Sequence, residues 1–196
     1  MTLDELILEV YSITNRPDRS TETLSGIKAA TLKAHQSDHY FKDLYESGLA
    51  FDSAAYVQDL DYRTLLPRWR QPKYFRKYDN STGTPGIILT KIEPENVLDE
   101  YKLQKQDIYY SAGAYIHINS STQEQYYLFG AYLNPDITTA GYNSWVALDH
   151  PFAIIYEAAA FVFKSIGKDE EAATYRQMVP EQIQMIRMDS IISGDC

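Results

Sequence analysis

A single cysteine, Cys196, stands in the chain, so no intrachain disulfide can form and nothing calls for an oxidising compartment. A lone thiol also cannot build a multi-cysteine zinc cluster. Long apolar runs are missing. The most apolar segment, Phe152–Ile166, contains Glu157 and falls short of a bilayer span. Positive charge is scarce: 18 Lys and Arg face 27 Asp and Glu, for a formal net charge of −9. A general nucleic-acid binder normally shows the opposite balance, although a wall that faces DNA without gripping it is compatible with an acidic chain. No GxxxxGKS/T or strand-linked GxGxxG phosphate loop occurs, and no GxSxG elbow. The opening MTLDELILEV holds Asp4, Glu5 and Glu9 without a basic run and does not read as a signal peptide. A soluble protein, assembled inside the cell and needing no membrane, is expected.

Tyrosine is in excess, with 17 against 2 tryptophans and 7 phenylalanines. Its apolar ring and polar tip suit interfaces, and it also favours half-buried strands. Overall, 44% hydrophobic residues argue for a packed core and against disorder.

The C-terminal stretch organises the reading. Pro151 suits a first helical position, Gly167 the left-handed residue after a helix end, and Asp169, Glu170 and Glu171 a first turn. A helical hairpin follows, Pro151–Ile166 and Lys168–Ser190, with Pro180 expected to kink or split its second arm. The first arm is apolar nearly all round and should be buried on several sides. The second carries two stripes at roughly 100° per residue. Ala172, Tyr175, Val179, Ile183 and Ile186 form one, and Met178, Met185, Met188 and Ile192 the other. The second stripe either packs on the chain's own sheet or serves a subunit contact, since methionine-rich faces adapt to partners.

At the N-terminus, Thr2 and Glu5 fit a capping box, and Leu3, Leu6, Ile7 and Val10 recur at helical spacing up to about Asn15. A second helix, capped by Ser20 or Thr21, runs to between Ser37 and Phe41. Gly48 reads as a turn. Strands are expected at Ala54–Leu60, Pro72–Tyr78, Ile87–Ile92, Asp107–Ser111, Ala114–Asn119 and Gln125–Leu133. The last three should make an antiparallel meander, with a turn cluster at 80–86 and a short helix in Pro94–Gln104. Helices, strands, helices is therefore the order. Such segregation favours an α+β fold, with N- and C-terminal helices forming one bundle and an antiparallel β-region inserted between them. The expected division is 1–41, 42–149 and 150–196.

Chemistry is sparse. His35 and His39 would share a face if their helix continued, but Gln36 occupies the place of the glutamate in an HExxH motif and no third ligand is evident. Capping and hydrogen bonding at a helix end is the structural alternative. The carboxylates are scattered, with no pair assignable to a cleft. One segment mixes Arg63, Arg68, Arg70, Lys73, Arg76 and Lys77 with Trp69, Tyr74, Phe75 and Tyr78. Basic and aromatic residues together can bind single strands, pair with a neighbouring copy's acidic surface, or simply be solvated.

Three stretches carry a resemblance: His35-Gln36-Ser37-Asp38-His39-Tyr40-Phe41-Lys42-Asp43-Leu44, then Leu66-Pro67-Arg68-Trp69-Arg70, and the closing hairpin with Pro151, its alanines, Gly167 and an acidic first turn. In this layout the chain resembles the head-to-tail connector (adaptor or gateway) proteins of tailed bacteriophages, and is similar to the tubular-tail component under the portal in short-tailed phages. The resemblance implies a virion part without catalysis or cofactor. Its partners would be the portal protein, tail or nozzle proteins, and copies of itself in a ring, commonly of twelve, with genomic DNA passing through the middle. It also implies a neck location and places Met178, Met185, Met188, Ile191 and Ile192 near the portal or a neighbouring subunit. Arg63, Arg68, Trp69, Arg70, Lys73, Arg76 and Lys77 would be inter-subunit or nucleic-acid contacts. Two rivals follow from the residues alone: a cytosolic nucleic-acid-binding or regulatory module using Arg63–Tyr78, and a metal enzyme built on His35 and His39.

Overall fold

A computed structural model of the chain describes residues 1–50, 56–79, 81–123 and 126–194. The element order is α1 (Leu3–Thr14), α2 (Ser20–Gln36), β1 (Leu44–Ala50), β2 (Val57–Asp61), α3 (Tyr62–Leu65), β3 (Trp69–Asp79), β4 (Thr84–Ile88), β5 (Thr90–Lys91), β6 (Ile108–Ala112), β7 (Tyr115–Asn119), β8 (Tyr126–Leu133), α4 (Trp145–Asp149), α5 (Pro151–Ser165) and α6 (Asp169–Gly194). The chain divides into two compact units, one made of Met1–Asp43 with Asn134–Cys196 and the other of Leu44–Leu133.

The first unit is helical. Thr2 and Glu5 close the capping box of α1, satisfying orphan N–H groups at its start. Ser20 is already helical, and Arg19 precedes it without a side-chain cap. Pro151 opens α5. Gly167, at φ +76°, ends the hairpin's first arm, with the Lys168 N–H donating back to Phe163 O at 2.9 Å. Helix α5 packs against α1, α2, α4 and α6. Its buried side chains are mostly small or β-branched: Ala153, Ile154, Ile155, Ala158, Ala159, Ala160 and Val162. Small residues let neighbouring backbones come close. A Cβ on Gly26 of α2 would lie 3.2 Å from Phe161 and 3.3 Å from the Ala158 carbonyl oxygen.

The second unit holds two four-stranded sheets, ordered β1-β8-β3-β4 and β2-β7-β6-β5. Phe75, Tyr127, Phe129 and Ala131 from the first and Leu60, Tyr109, Ile116 and Ile118 from the second share one core, with Phe75 and Tyr109 rings 4.9 Å apart. The chain changes sheets at the buried Leu89, between β4 and β5.

Several expectations are corrected. One terminal bundle around a single antiparallel β-region is not what forms, although the mixed α+β class fits. Six helices are distributed along the chain, with α3 between strands and α4 ahead of the C-terminal pair. The strands make two sheets, and β5 pairs with β6 in parallel. Residues 134–149, expected with the strands, belong to the helical unit. No three-strand meander forms, because β8 leaves β6 and β7 and inserts between β1 and β3. Gly48 is not a turn but pairs with Leu128 inside β1. Across the same sheet the Tyr74 ring lies over Gly130 so closely that a Cβ there would be 2.6 Å away. Glycine in these strands makes room for the ring, whose hydroxyl donates to Glu46 Oε1 at 2.7 Å.

The short helix expected in Pro94–Gln104 is there as a 3-10 helix at Pro94–Asn96 opening on Pro94, followed by an isolated antiparallel bridge between Leu98 and Gln104. Helix α6 runs unbroken through Pro180. Phe152 and Phe161 remain 48% and 41% exposed, so α5 is not covered all round. Ala54 and Ala55 of the expected strand at 54–60, Asn80 at the start of the 80–86 cluster and Gln125 at the start of Gln125–Leu133 lie outside the described residues.

Replacing Gly26 by leucine should force α2 off α5 and lower the unfolding free energy by about 1–3 kcal/mol. Urea denaturation followed by circular dichroism measures this, and an unchanged midpoint would show that the close approach contributes nothing.

Candidate functional site

His35 lies in the last turn of α2 and is almost wholly buried. Its Nδ1 is 2.7 Å from Asp43 Oδ1 and its Nε2 is 2.9 Å from Ser144 Oγ. The Trp145 indole N–H donates to the same Asp43 oxygen at 2.7 Å. Ser144 is the N-cap of α4, accepting the Ala147 N–H at 3.1 Å. With the carboxylate ionised, Nδ1 carries the proton, and a neutral ring then accepts the Ser144 O–H at Nε2. A serine, a histidine and an aspartate in line suggest a nucleophile relay. Here, however, the serine is only 4% exposed and its oxygen already caps a helix. The arrangement ties the end of α2, the Phe41–Asp43 turn and the start of α4 into one piece.

His39 lies past the end of α2, so the two histidines do not share a helical face. Its backbone N–H donates to Asp38 Oδ1 at 2.7 Å. Among the described residues no group of three or more His, Cys, Asp or Glu could hold a metal ion. The network is not legible locally because Ser144 and Trp145 lie far along the chain from His35 and Asp43. The one available signal was Ser144, a good N-cap residue ahead of an apolar turn.

The basic and aromatic segment does not form one strip. Arg63 lies in α3, and Arg68 sits exposed in the turn before β3. Trp69 packs on the core of the sheets, stacked on Tyr62 with centroids 5.6 Å apart. Arg70 and Lys73 stand over the Tyr132 ring, at 5.7 and 5.9 Å. The Arg76 Nε is buried without a partner. Lys77 is buried outright, its Nζ 2.6 Å from Asp107 Oδ1 and donating to Ser121 Oγ and Thr122 Oγ1 at 3.0 and 2.9 Å. Burial pushes the Asp107 carboxyl up, but hydrogen bonds from Lys77 and Ser121 more than offset this and hold it below the usual carboxylate value.

The methionine stripe of α6 stays at the surface. Met178, Met185 and Met188 are 40%, 45% and 58% exposed, while Ala172, Val179 and Ile186 of the other stripe are buried. One helix thus fills the unit's core with one face and leaves the second uncovered. Met185 and Met188 floor an open groove of about 600 Å³. Its polar rim is paired, Lys42 with Asp149 at 2.8 Å and His150 Nε2 with Asp189 Oδ2 at 3.1 Å. Ile191 and Ile192 fall in the last turns of α6, and their side chains lie outside what is described. No helix among the described residues is long and apolar enough to cross a membrane.

No protein-family model matches the chain, and no curated protein matches it significantly.

His35→Ala removes the centre of the buried network and leaves Asp43 and Ser144 short of a partner. It should cost about 2–4 kcal/mol of stability, read from urea unfolding. Asp107 supplies a pH test. A carboxylate held low in the folded state stabilises above its ordinary value, and this contribution is lost as pH falls through the folded value. Asp107→Asn should therefore lower stability at neutral pH and flatten the acid limb of a stability–pH profile.

Proposed function

We propose that this chain works by assembly and without catalysis, as a head–tail adaptor of a tailed bacteriophage. Copies would stand in a ring in the neck of the virion, one surface on the portal and another toward tail or nozzle proteins, with DNA passing through the middle. The observation that supports this best is the uncovered methionine stripe of α6: Met178, Met185 and Met188 lie outside a core that the same helix completes with its other face. Burying such a face against a partner releases apolar surface from water at about 25 cal/mol per Å² before the costs of association. The polar rim groups around Met185 and Met188 already have partners within the chain. The net charge of −9 suits a channel that lets DNA slide, because like charge discourages sticking.

The test is co-assembly. The purified chain mixed with the portal protein of its own phage should form a large complex on sizing. Met185→Glu with Met188→Glu should weaken that complex by about thirtyfold or more, from the apolar burial lost at two half-exposed side chains. Failure of the unmodified chain to join any portal would overturn the proposal.

A further inference from the structure

A second groove in the helical unit has a different chemistry. It lies among α2, α5 and α6 and encloses about 440 Å³, a size typical of built binding sites. Val179, Pro180 and Ile183 make an apolar floor, and Lys33, Arg176 and Arg187 supply positive charge. Lys33 donates to Glu157 Oε1 at 2.8 Å, and Arg187 lies 3.5 Å from Asp38 while donating to Ser37 O at 2.8 Å. Arg176 is exposed, and no ion pair or hydrogen bond of its side chain is recorded among the described residues. Two acceptors in the groove also want donors. Glu157 Oε2 is buried without a partner. Pro180 has no N–H, so the Arg176 carbonyl lacks its helical donor. With Lys33 paired to Glu157 and Arg187 beside Asp38, Arg176 is, among the described residues, the uncompensated positive charge of the groove.

The complementary surface lies on α1. Leu8 is 64% exposed there, the outward counterpart of Leu6 and Val10, which are buried. Asp4, one turn before it, and Glu9, beside it, are both exposed, and neither makes an ion pair among the described residues. Ser12, one turn beyond, adds an exposed hydroxyl donor. An apolar knob flanked by acid thus faces outward on the same chain that carries an apolar groove edged by Arg176. We infer that the two meet between copies: the α1 knob of one copy seats in the α2–α5–α6 groove of the next. Leu8 lies on Val179 and Ile183, Asp4 and Glu9 pair with Arg176 and Lys33, and Ser12 supplies a donor. Knob and groove are different patches, so the contact is heterologous and propagates head to tail, closing into a ring or opening into a filament. The inference rests on the reading above that copies stand side by side, and adds which surfaces join them.

The experiment uses the full chain in sedimentation velocity and native mass spectrometry, with circular dichroism confirming that each variant is folded. Leu8→Glu spoils only the knob and Arg176→Glu only the groove, and both positions are exposed. Each variant alone should self-associate about tenfold or more weakly than the unmodified chain, as loss of a central anchor or its charge partner does. Mixed in equal amounts, they should form a one-to-one heterodimer and stop there, because the mixture holds one intact knob and one intact groove per pair. Asp4→Arg with Arg176→Glu in one chain should recover part of the lost association. If Leu8→Glu and Arg176→Glu associate as strongly as the unmodified chain, the inference falls and the groove serves some other acidic, apolar partner, while portal co-assembly still stands or fails on its own test. An unmodified chain that stays single at every concentration also overturns it, and leaves the adaptor reading to be judged by the portal experiment alone.

Discussion

The burial of α5 is the constraint on which the helical unit depends. Four other helices lean on it, and its alanines let them do so at short range. Chain before Asp43 and chain after Asn134 must come together to cover it. The long-range polar contacts follow from that closure. Thr31 meets Tyr142 at 2.8 Å, Lys33 meets Glu157 at 2.8 Å, and His35 is held between Asp43 and Ser144. Each of these reaches from α2 to the chain after Asn134. Each also satisfies a polar group that burial would otherwise penalise. The strands between the two segments build a core of their own from both sheets.

The surfaces of interest are by-products of the same packing. A helix as long as α6, with two apolar stripes, can offer only one to α5. Its inner stripe, Ala172, Val179 and Ile186, takes that place, and the methionines are left outside. Pro180 contributes in another way. Lacking an N–H, it opens the hydrogen-bond ladder where α6 passes α2 and α5, and the groove with Lys33 and Arg176 lies there. Two outward-facing regions of one helix thus differ in chemistry, one apolar with a paired polar rim and one edged by Arg176.

Local signals read well from residues alone. The Thr2–Glu5 box, Pro151 at a helix start, Gly167 in the left-handed region and the two stripes of α6 all depend on neighbours within one or two turns. Signals that depend on distant neighbours did not. Gly48 resembles a turn until Leu128 is placed beside it and Tyr74 is seen to need space over Gly130. Lys77 resembles part of a basic surface until Asp107 and Ser121 close around it. His35 resembles a metal ligand until Asp43 and Ser144 occupy both ring nitrogens.

From the residues by themselves came the mixed α and β content, the ends of α1 and α5, the acid excess and a helix with two apolar stripes. These follow from composition and from periodicities of two and 3.6 residues, which operate within a single element. The pairing of strands into two sheets, the course of β8 between β1 and β3, the burial of Lys77 and the survival of the methionine stripe at the surface were decided by tertiary structure. The reason is that a side chain's burial depends on what the fold brings against it from far along the chain, and no local pattern carries that information.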